Sequence, residues 1–282
     1  MLFSDRTFPI SVDMAHKPFR IVVISDIVYG SDKPRQGQLR SLPSRALSLL
    51  RYLVNRINSE IRPEFVVRLG SLIEDEDEET DEENYEKIVD ELKQLSVPVY
   101  HVAGSNEQVN LSQKKIAAIL KYPKLYYSFD SDDYHFVVLF SESKNHDHVH
   151  ISPEQTHWLQ EDLNANKKPV LVFVHHLLDE QELSDNFWFG QYPDGCRVEE
   201  RAELRAILAR SGKVKAVFSG SVHQNNLQEH DGIQYVTLQS LVENVSKSGK
   251  TASESFAVLT LSPREIRVEV EGLQRDEYSI QI

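Results

Sequence analysis

Runs of consecutive apolar residues recur along the chain, each followed by a polar turn and then by a longer segment of different periodicity. The first run, residues 21–24, consists only of Ile and Val, which is typical of a strand buried on both faces of its sheet. Comparable runs predict strands at residues 65–69, 97–102, 170–174 and 214–219. The pattern indicates a buried and largely parallel sheet structure.

Between these strands, apolar residues recur at spacings of three and four, which is the periodicity of an amphipathic helix. The longest such segment covers residues 42–61, with Pro43 in its first turn and Pro63 after its end. Further helices are predicted over residues 85–95, 111–122, 153–163 and 198–211. Additional strands are predicted at residues 126–129, 134–140, 234–239, 256–261 and 266–270.

The alternation of strands and helices predicts an α/β protein built from two mixed sheets packed face to face, with helices on the outer faces. We expect residues 1–282 to form a single domain, because no segment has the composition of a linker. Residues 1–17 are expected to form an N-terminal arm.

Charge and cysteine content narrow the range of partners. The chain of 282 residues has a formal net charge of −13, which disfavours nucleic acid and anionic membranes because both require a basic surface. The single cysteine, Cys196, excludes an internal disulfide framework and fits a reducing, cytoplasmic compartment. The sequence predicts neither a signal peptide nor a membrane-spanning segment.

Polar residues with catalytic or ligand chemistry follow five of the predicted strands. The turns are Asp26-Ile27-Val28, Gly70-Ser71, Gly104-Ser105-Asn106-Glu107, His175-His176 and Gly220-Ser221-Val222-His223. Because the carboxyl ends of parallel strands lie at one edge of a sheet, where α/β proteins build their sites, we expect these turns to meet.

The order and spacing of these turns resemble those of the calcineurin-like metallophosphoesterases, in particular the class III cyclic-nucleotide phosphodiesterases and relatives acting on nucleoside diphosphate esters. The family pattern reads Asp-x-His, Gly-Asp, Gly-Asn-His-Glu/Asp, His-His or His-x, and Gly-His-x-His. The resemblance covers roughly residues 19–261. It implies a four-layer αββα sandwich and two divalent metals that clamp an in-line phosphoryl displacement.

Against that pattern, three positions keep the expected residue. Asp26 matches the first aspartate, and His223 matches the last histidine of the pattern. In the His-His turn, His175 matches the ligand histidine, with His176 as the other choice. Five positions depart from it: Val28 and Ser221 replace histidines, Ser71 the bridging aspartate, Ser105 the ligand asparagine and Asn106 the non-ligand histidine.

These departures predict that a metal pair is not held. Ser71 is neutral at pH 7, so no bridging charge offsets the repulsion between two close dications. Of the metal candidates, Asp26 and His223 would remain at the first metal position and His175 alone at the second. Stable zinc sites usually have three or four protein ligands. Asn106 carries no titratable proton and cannot act as a general acid. We therefore expect no cofactor, and any metal would be a single, weakly held Mn, Zn or Fe ion.

The prediction is thus a catalytically inactive homologue that binds a small anionic ligand or a protein partner through the former active-site cleft. The expected contacts are Asp26, Asn106, His175, His176, His223 and Trp188. Two alternatives remain open: a weak metal-dependent phosphodiesterase or phosphatase with one residual metal, and a polar pocket whose groups only bond to one another.

Three further features have two interpretations each. His146, His148 and His150 alternate along an extended segment, so they either share a metal or are simply solvated. The aromatic residues around Trp188 either cap the cleft or pack over neighbouring loops. Nine of the ten residues at 74–83 are acidic, which indicates a solvated loop and helix start, with cation capture as the alternative.

Overall fold

The structure of the protein is a computed structural model that describes residues 19–144, 146–247 and 249–282. The N-terminal arm expected at residues 1–17 lies outside the described residues. The strands are β1 (Phe19–Ser25), β2 (Phe65–Leu69), β3 (Val99–Val102), β4 (Tyr127–Ser131), β5 (Tyr134–Val138), β6 (Glu142–Lys144), β7 (Asp147–His150), β8 (Val170–Phe173), β9 (Val214–Ser219), β10 (Asn226–His230), β11 (Ile233–Thr237), β12 (Phe256–Leu261), β13 (Glu265–Glu271) and β14 (Asp276–Gln281).

The helices connect these strands over the outside of the molecule. They are α1 (Ala46–Arg56), α2 (Glu78–Leu92), α3 (Glu107–Asn110), α4 (Gln113–Leu120), α5 (Pro153–Ala165) and α6 (Arg201–Ser211). A 3-10 turn at Pro43–Arg45 precedes α1, a π-helical turn at Ile57–Ile61 continues it, and a second 3-10 turn lies at Pro193–Cys196.

Two six-stranded mixed sheets form the centre of the fold. The first has the order β14-β13-β12-β1-β2-β3, and the second has the order β10-β11-β9-β8-β5-β4. β1, β2 and β3 are mutually parallel, as are β5, β8, β9 and β11. A separate two-stranded sheet pairs β6 with β7. The carboxyl ends of the parallel strands in both large sheets carry the five turns predicted to form the site.

The alternation of side chains along β1 shows why this strand is apolar throughout. Ile21 and Val23 pack between the two sheets, while Val22 and Ile24 pack under the helices of the first sheet. All four side chains are fully buried. The strand therefore has no solvated face, as its uninterrupted apolar sequence predicted.

Helices cover the outer faces of both sheets. α1, α2 and α4 share one apolar cluster with the first sheet, and α5 and α6 share another with the second. Between the sheets, Phe136 stacks on Phe173 at a centroid distance of 6.4 Å. The four-layer αββα sandwich predicted from the sequence is confirmed.

The acidic segment differs from its prediction as a solvated stretch. Glu74 and Asp81 are buried, and Asp81 accepts hydrogen bonds from the backbone N–H of Glu76 and the side chain of Asn110. The Asp77 side chain accepts from the Thr80 N–H at 2.9 Å and begins α2 at Glu78, earlier than expected. Asp77 therefore caps α2, and Asp81 fixes its first turns through its hydrogen bonds, so the segment is more than a solvated loop.

Candidate active site

The five strand-exit turns meet in one cleft at the carboxyl edge of the two sheets. The cleft has a volume of about 260 Å³. Its floor and walls are formed by Asp26, Val28, Ser71, Ser105, Asn106, Ser221 and His223, and its rim by Phe187, Trp188 and Phe189. His175 and His176 are fully buried, and His175 contacts the floor residues Ser71 and Ser105.

Asp26 is the central charge of the cleft floor and is 1% exposed. Its Oδ2 accepts hydrogen bonds from the Ser221 N–H at 3.1 Å and from the Ser25 hydroxyl. Its Oδ1 has no hydrogen-bond partner. Burial opposes ionisation of this carboxyl, but His223 and His175 outweigh it and lower its pKa. A buried, ionised oxygen without a partner is unusual and marks this position as a potential ligand-binding point.

His223 lies between Asp26 and a second buried carboxylate, Glu243. Its Nε2 is 3.7 Å from Asp26 Oδ1 and its Nδ1 is 2.9 Å from Glu243 Oε2. Burial alone would lower the pKa of His223, but the two carboxylates outweigh this effect and raise it to about 10. Glu243 also accepts from the Trp188 indole at 3.2 Å and from Arg40 at 3.1 Å.

Glu243 was not found by sequence reasoning. It follows β11 in an irregular segment, where neither periodicity nor a turn motif distinguishes it from a surface glutamate. Its contact with His223 resembles the carboxylate–histidine pairs that orient metal ligands. The same Glu243 oxygen accepts from the Trp188 indole, whose ring lies 5.0 Å from the His223 ring.

His175 faces hydroxyl groups. Its Nε2 is 3.2 Å from Ser105 Oγ and 3.5 Å from Ser71 Oγ, and its Nδ1 is 4.0 Å from Asp26 Oδ1. Burial lowers the pKa of His175 despite the nearby Asp26 carboxylate. The histidine is therefore seated in a neutral hydroxyl environment rather than against further anionic ligands.

Two of the residues predicted to contact a ligand, His176 and Asn106, form hydrogen bonds with other protein groups instead. His176 Nδ1 is 2.7 Å from the Ser141 hydroxyl, and burial lowers the pKa of His176 well below its usual value. Asn106 lines the cleft, but its Nδ2 donates to the Ile73 carbonyl at 2.9 Å. His176 thus lies away from the cleft, and the Asn106 amide ties two of its turns together.

The backbone of the turns is strained at several positions that line the cleft. Positive φ angles occur at Asp26, Val28, Ser71, Ser221 and His223. Such a conformation is rare for residues other than glycine, and for a β-branched residue such as Val28 it is a genuine outlier. Strain of this kind is concentrated at functional sites, where the surrounding structure enforces it.

These side chains do not fit a metal pair. Asp26 Oδ1 is unpartnered, His223 Nε2 lies 3.7 Å from it, and His175 is the third candidate. The neutral hydroxyl of Ser71 occupies the bridging position. Ser71 and Ser105 hydrogen-bond the His175 ring instead of offering anionic ligands. Two dications at about 4 Å repel strongly and require a bridging anion, and the described residues place the neutral Ser71 hydroxyl where that anion is expected.

The outer wall of the cleft joins Arg35, which the sequence did not single out, to residues of the acidic segment and to His146. Arg35 bridges Glu74 and Asp75, and His146 Nε2 lies 3.7 Å from Asp75 Oδ2. His146 therefore belongs to the cleft wall and is separated from His148 and His150. Trp188 lies on the rim, whereas Tyr192, in the same loop, is half exposed and contacts Asp147.

Comparisons with known proteins agree with this architecture. A family model described as calcineurin-like phosphoesterase matches residues 19–225. The chain is 25% identical over 219 residues to a 3',5'-cyclic adenosine monophosphate phosphodiesterase of Haemophilus influenzae, covering 75% of this chain and 73% of the relative. It is 24% identical over 280 residues to a manganese-dependent ADP-ribose/CDP-alcohol diphosphatase of Oryza sativa, covering 80% and 84% of the two chains.

A solved structure shows the same fold over nearly the full described chain. A dimetal phosphatase from Danio rerio superposes with a TM-score of 0.75 and 19% sequence identity, covering 94% of this chain and 99% of that chain. Among the described residues, no helix is both long and apolar enough to cross a membrane. The match over residues 19–225, well over half of the chain, shows that this protein belongs to the calcineurin-like phosphoesterase family.

Proposed function

We propose that this protein is a non-catalytic member of its family that binds a small anionic ligand in the cleft. The observation that carries the proposal is the set of neutral hydroxyls, Ser71, Ser105 and Ser221, at positions where the family pattern has metal ligands. Ser71 and Ser105 contact His175 at 3.5 and 3.2 Å, so these two hydroxyls are hydrogen-bond partners of the histidine and supply no charge for a metal pair.

The proposal follows from the two-metal reaction that the family pattern implies. Two metals activate the attacking oxygen and stabilise the leaving oxygen of a phosphoryl displacement. Without the bridging anion at Ser71, the pair is not held. Asn106 at the position of the non-ligand histidine supplies no proton, since an amide does not titrate near neutral pH. Both the activated nucleophile and the general acid are therefore missing.

The shape and chemistry of the cleft favour a nucleotide-like ligand. Phe187, Trp188 and Phe189 line the rim, where an aromatic base can stack. The hydroxyls of Ser71 and Ser221 can donate to phosphate oxygens deeper in the cleft. The relatives named above act on cyclic adenosine monophosphate and on ADP-ribose, which combine a base with phosphate. Titration of the protein with these two compounds, read by calorimetry, tests this part of the proposal.

The catalytic part is tested by hydrolysis assays of model phosphodiesters with added Mn²⁺. A matched positive control restores the family pattern with Val28→His, Ser71→Asp, Ser105→Asn, Asn106→His and Ser221→His. We expect no turnover by the wild type and metal-dependent turnover by the restored variant. Wild-type turnover that is lost on Asp26→Ala or His223→Ala would overturn the proposal.

The unpartnered Oδ1 of Asp26, with His223 Nε2 at 3.7 Å, favours one alternative function. In this alternative the protein is a weak phosphodiesterase or phosphatase that uses a single bound metal. Metal analysis distinguishes the two functions. About one ion per chain, released on Asp26→Ala together with activity, supports the alternative. If no bound ion depends on the cleft residues, the result supports the non-catalytic function.

A further inference from the structure

A second cluster of metal-binding side chains lies on the surface beside the cleft. It consists of His148 and His150 on β7 and Glu199 just before α6. Their donor atoms all lie within 4.8 Å of one another. Across the described parts of the chain, this is the one set of three His, Cys, Asp or Glu side chains that meets this criterion. It is separate from Asp26 and the other cleft residues.

The carboxylate of Glu199 reaches both imidazoles. Its Oε1 is 3.2 Å from His148 Nδ1, and its Oε2 is 3.5 Å from His150 Nδ1. The two imidazole rings are nearly parallel, at an interplanar angle of 7° and a centroid distance of 6.3 Å. The rings therefore face the same side of β7, with the carboxylate next to both.

The backbone holds the three residues in this arrangement. The Glu199 N–H donates to the Val149 carbonyl at 2.8 Å, which places Glu199 beside the residue between the two histidines. The adjacent Glu200 accepts from the Ile151 N–H at 3.1 Å. The two segments are thus joined by one backbone–backbone hydrogen bond and by one hydrogen bond from the backbone to the Glu200 carboxylate.

We propose that His148, His150 and Glu199 bind one divalent transition-metal ion of the zinc class. Two imidazoles and one carboxylate are a known three-residue donor set for zinc with an open fourth position. Zinc–ligand distances of about 2.0–2.2 Å require the donors to approach to roughly 3.3 Å. The side chains are exposed enough to move this far, since His148 is 69% exposed and Glu199 50%.

The bound ion would join two segments that flank the cleft. His148 and His150 lie two and four residues after His146, which lines the cleft wall, and Glu199 ends the loop that carries Trp188. The Tyr192 hydroxyl already donates to Asp147 at 2.7 Å between the same segments. The ion therefore strengthens an existing contact and stabilises the loop at the rim of the cleft.

The proposal is tested by titrating untagged wild-type protein with ZnCl₂ alone, using calorimetry and thermal unfolding. His148→Ala and Glu199→Gln should each weaken zinc affinity by at least about 10-fold, because loss of even an outer-sphere partner costs about 10–100-fold. Zinc should raise the unfolding temperature of the wild type more than that of either variant. Binding should also weaken on acidification, because imidazole binds metals in its neutral form.

His157→Ala is the matched control, because His157 is an equally exposed histidine paired with a glutamate, Glu161, at 3.3 Å. This control should bind zinc like the wild type. Asp26→Asn should also retain the affinity, which separates this site from the cleft. Equal affinity in the wild type, His148→Ala and Glu199→Gln would overturn the proposal, as would loss of binding in Asp26→Asn alone.

Discussion

Two buried charged networks lie close together in this protein and differ in how completely their polar atoms are paired. The interior network centres on Arg68 and Glu107, both fully buried. Arg68 donates to Glu107 at 3.0 Å, to His101 at 3.0 Å and to the Tyr85 hydroxyl. Glu107 also accepts from the Gly104 N–H at 2.8 Å. Each charged group in this network therefore has several partners.

The cleft network is equally buried but is incompletely paired. Asp26 keeps one oxygen without a hydrogen-bond partner, and the nearest ring nitrogens, of His223 and His175, are 3.7 and 4.0 Å away. Its turns also carry the strained backbone at Val28 and Ser71. The comparison shows that the buried charges of the interior network are fully hydrogen-bonded. At the position where the family builds its site, one buried carboxylate oxygen has no hydrogen-bond partner.

Breaking the interior network should have the largest effect on stability. Arg68→Met leaves the Glu107 carboxylate buried without its partner, and we expect a loss of about 3–5 kcal/mol in the free energy of unfolding. Urea denaturation followed by circular dichroism measures this loss. The double variant Arg68→Met/Glu107→Gln should recover part of it, because the uncompensated charge is removed. A single-variant loss below about 1 kcal/mol would contradict the interpretation.

Crowding the cleft floor should have an intermediate effect. Gly70 has a φ of +89°, and a Cβ atom at this position would overlap the His175 ring. Gly70→Ala combines left-handed strain with overpacking and should cost about 2–5 kcal/mol. Gly232 has a φ of +75° but open space around it, so Gly232→Ala should cost only about 1–2 kcal/mol. Equal losses in thermal or urea unfolding would show that His175 does not constrain Gly70.

A third, partly solvated network should give the smallest effect. His135 contacts Asp130 at 2.6 Å and Asp162 at 2.8 Å. Burial opposes protonation of His135, but the two carboxylates outweigh it and raise its pKa above 6.5. Its contribution to stability is therefore complete below about pH 6.5 and is lost as the pH rises through the raised pKa. Relative to His135→Gln, the wild type should lose about 1 kcal/mol or less on going to alkaline pH.

Urea unfolding of both proteins at several pH values measures this difference. Parallel pH profiles for the wild type and His135→Gln would show that the histidine is not protonated between the two aspartates.

The elements with strong local patterns were predictable from sequence, and those set by tertiary contacts were not. β1 and β2 have uninterrupted apolar sequences and appear where expected. β10 has the sequence NLQEH, which has no strand periodicity, and it forms because it pairs with β11. The four-residue helix α3 is too short for a periodic pattern. Neighbouring strands, rather than intrinsic propensity, determine such segments.

The same distinction applies to the candidate site. Asp26, His175 and His223 were identifiable because strand ends of parallel sheets converge at one edge. Glu243, Arg35 and Glu199 were not, because irregular segments bring them to the site through contacts distant in sequence. Predicting such residues requires the three-dimensional path of loops, which single-sequence patterns do not contain.

The close approach of three glycines to the cleft floor has a consequence for how the site can change. A side chain at Gly70, Gly104 or Gly220 would overlap His175, Ser71 or Asp26, respectively. The main chain at these glycines therefore dictates the contour of the cavity, while the neighbouring positions determine its reactivity. The shape of the cavity and its chemistry are therefore set by different residues, so side chains beside the glycines can be exchanged while the contour of the cavity persists.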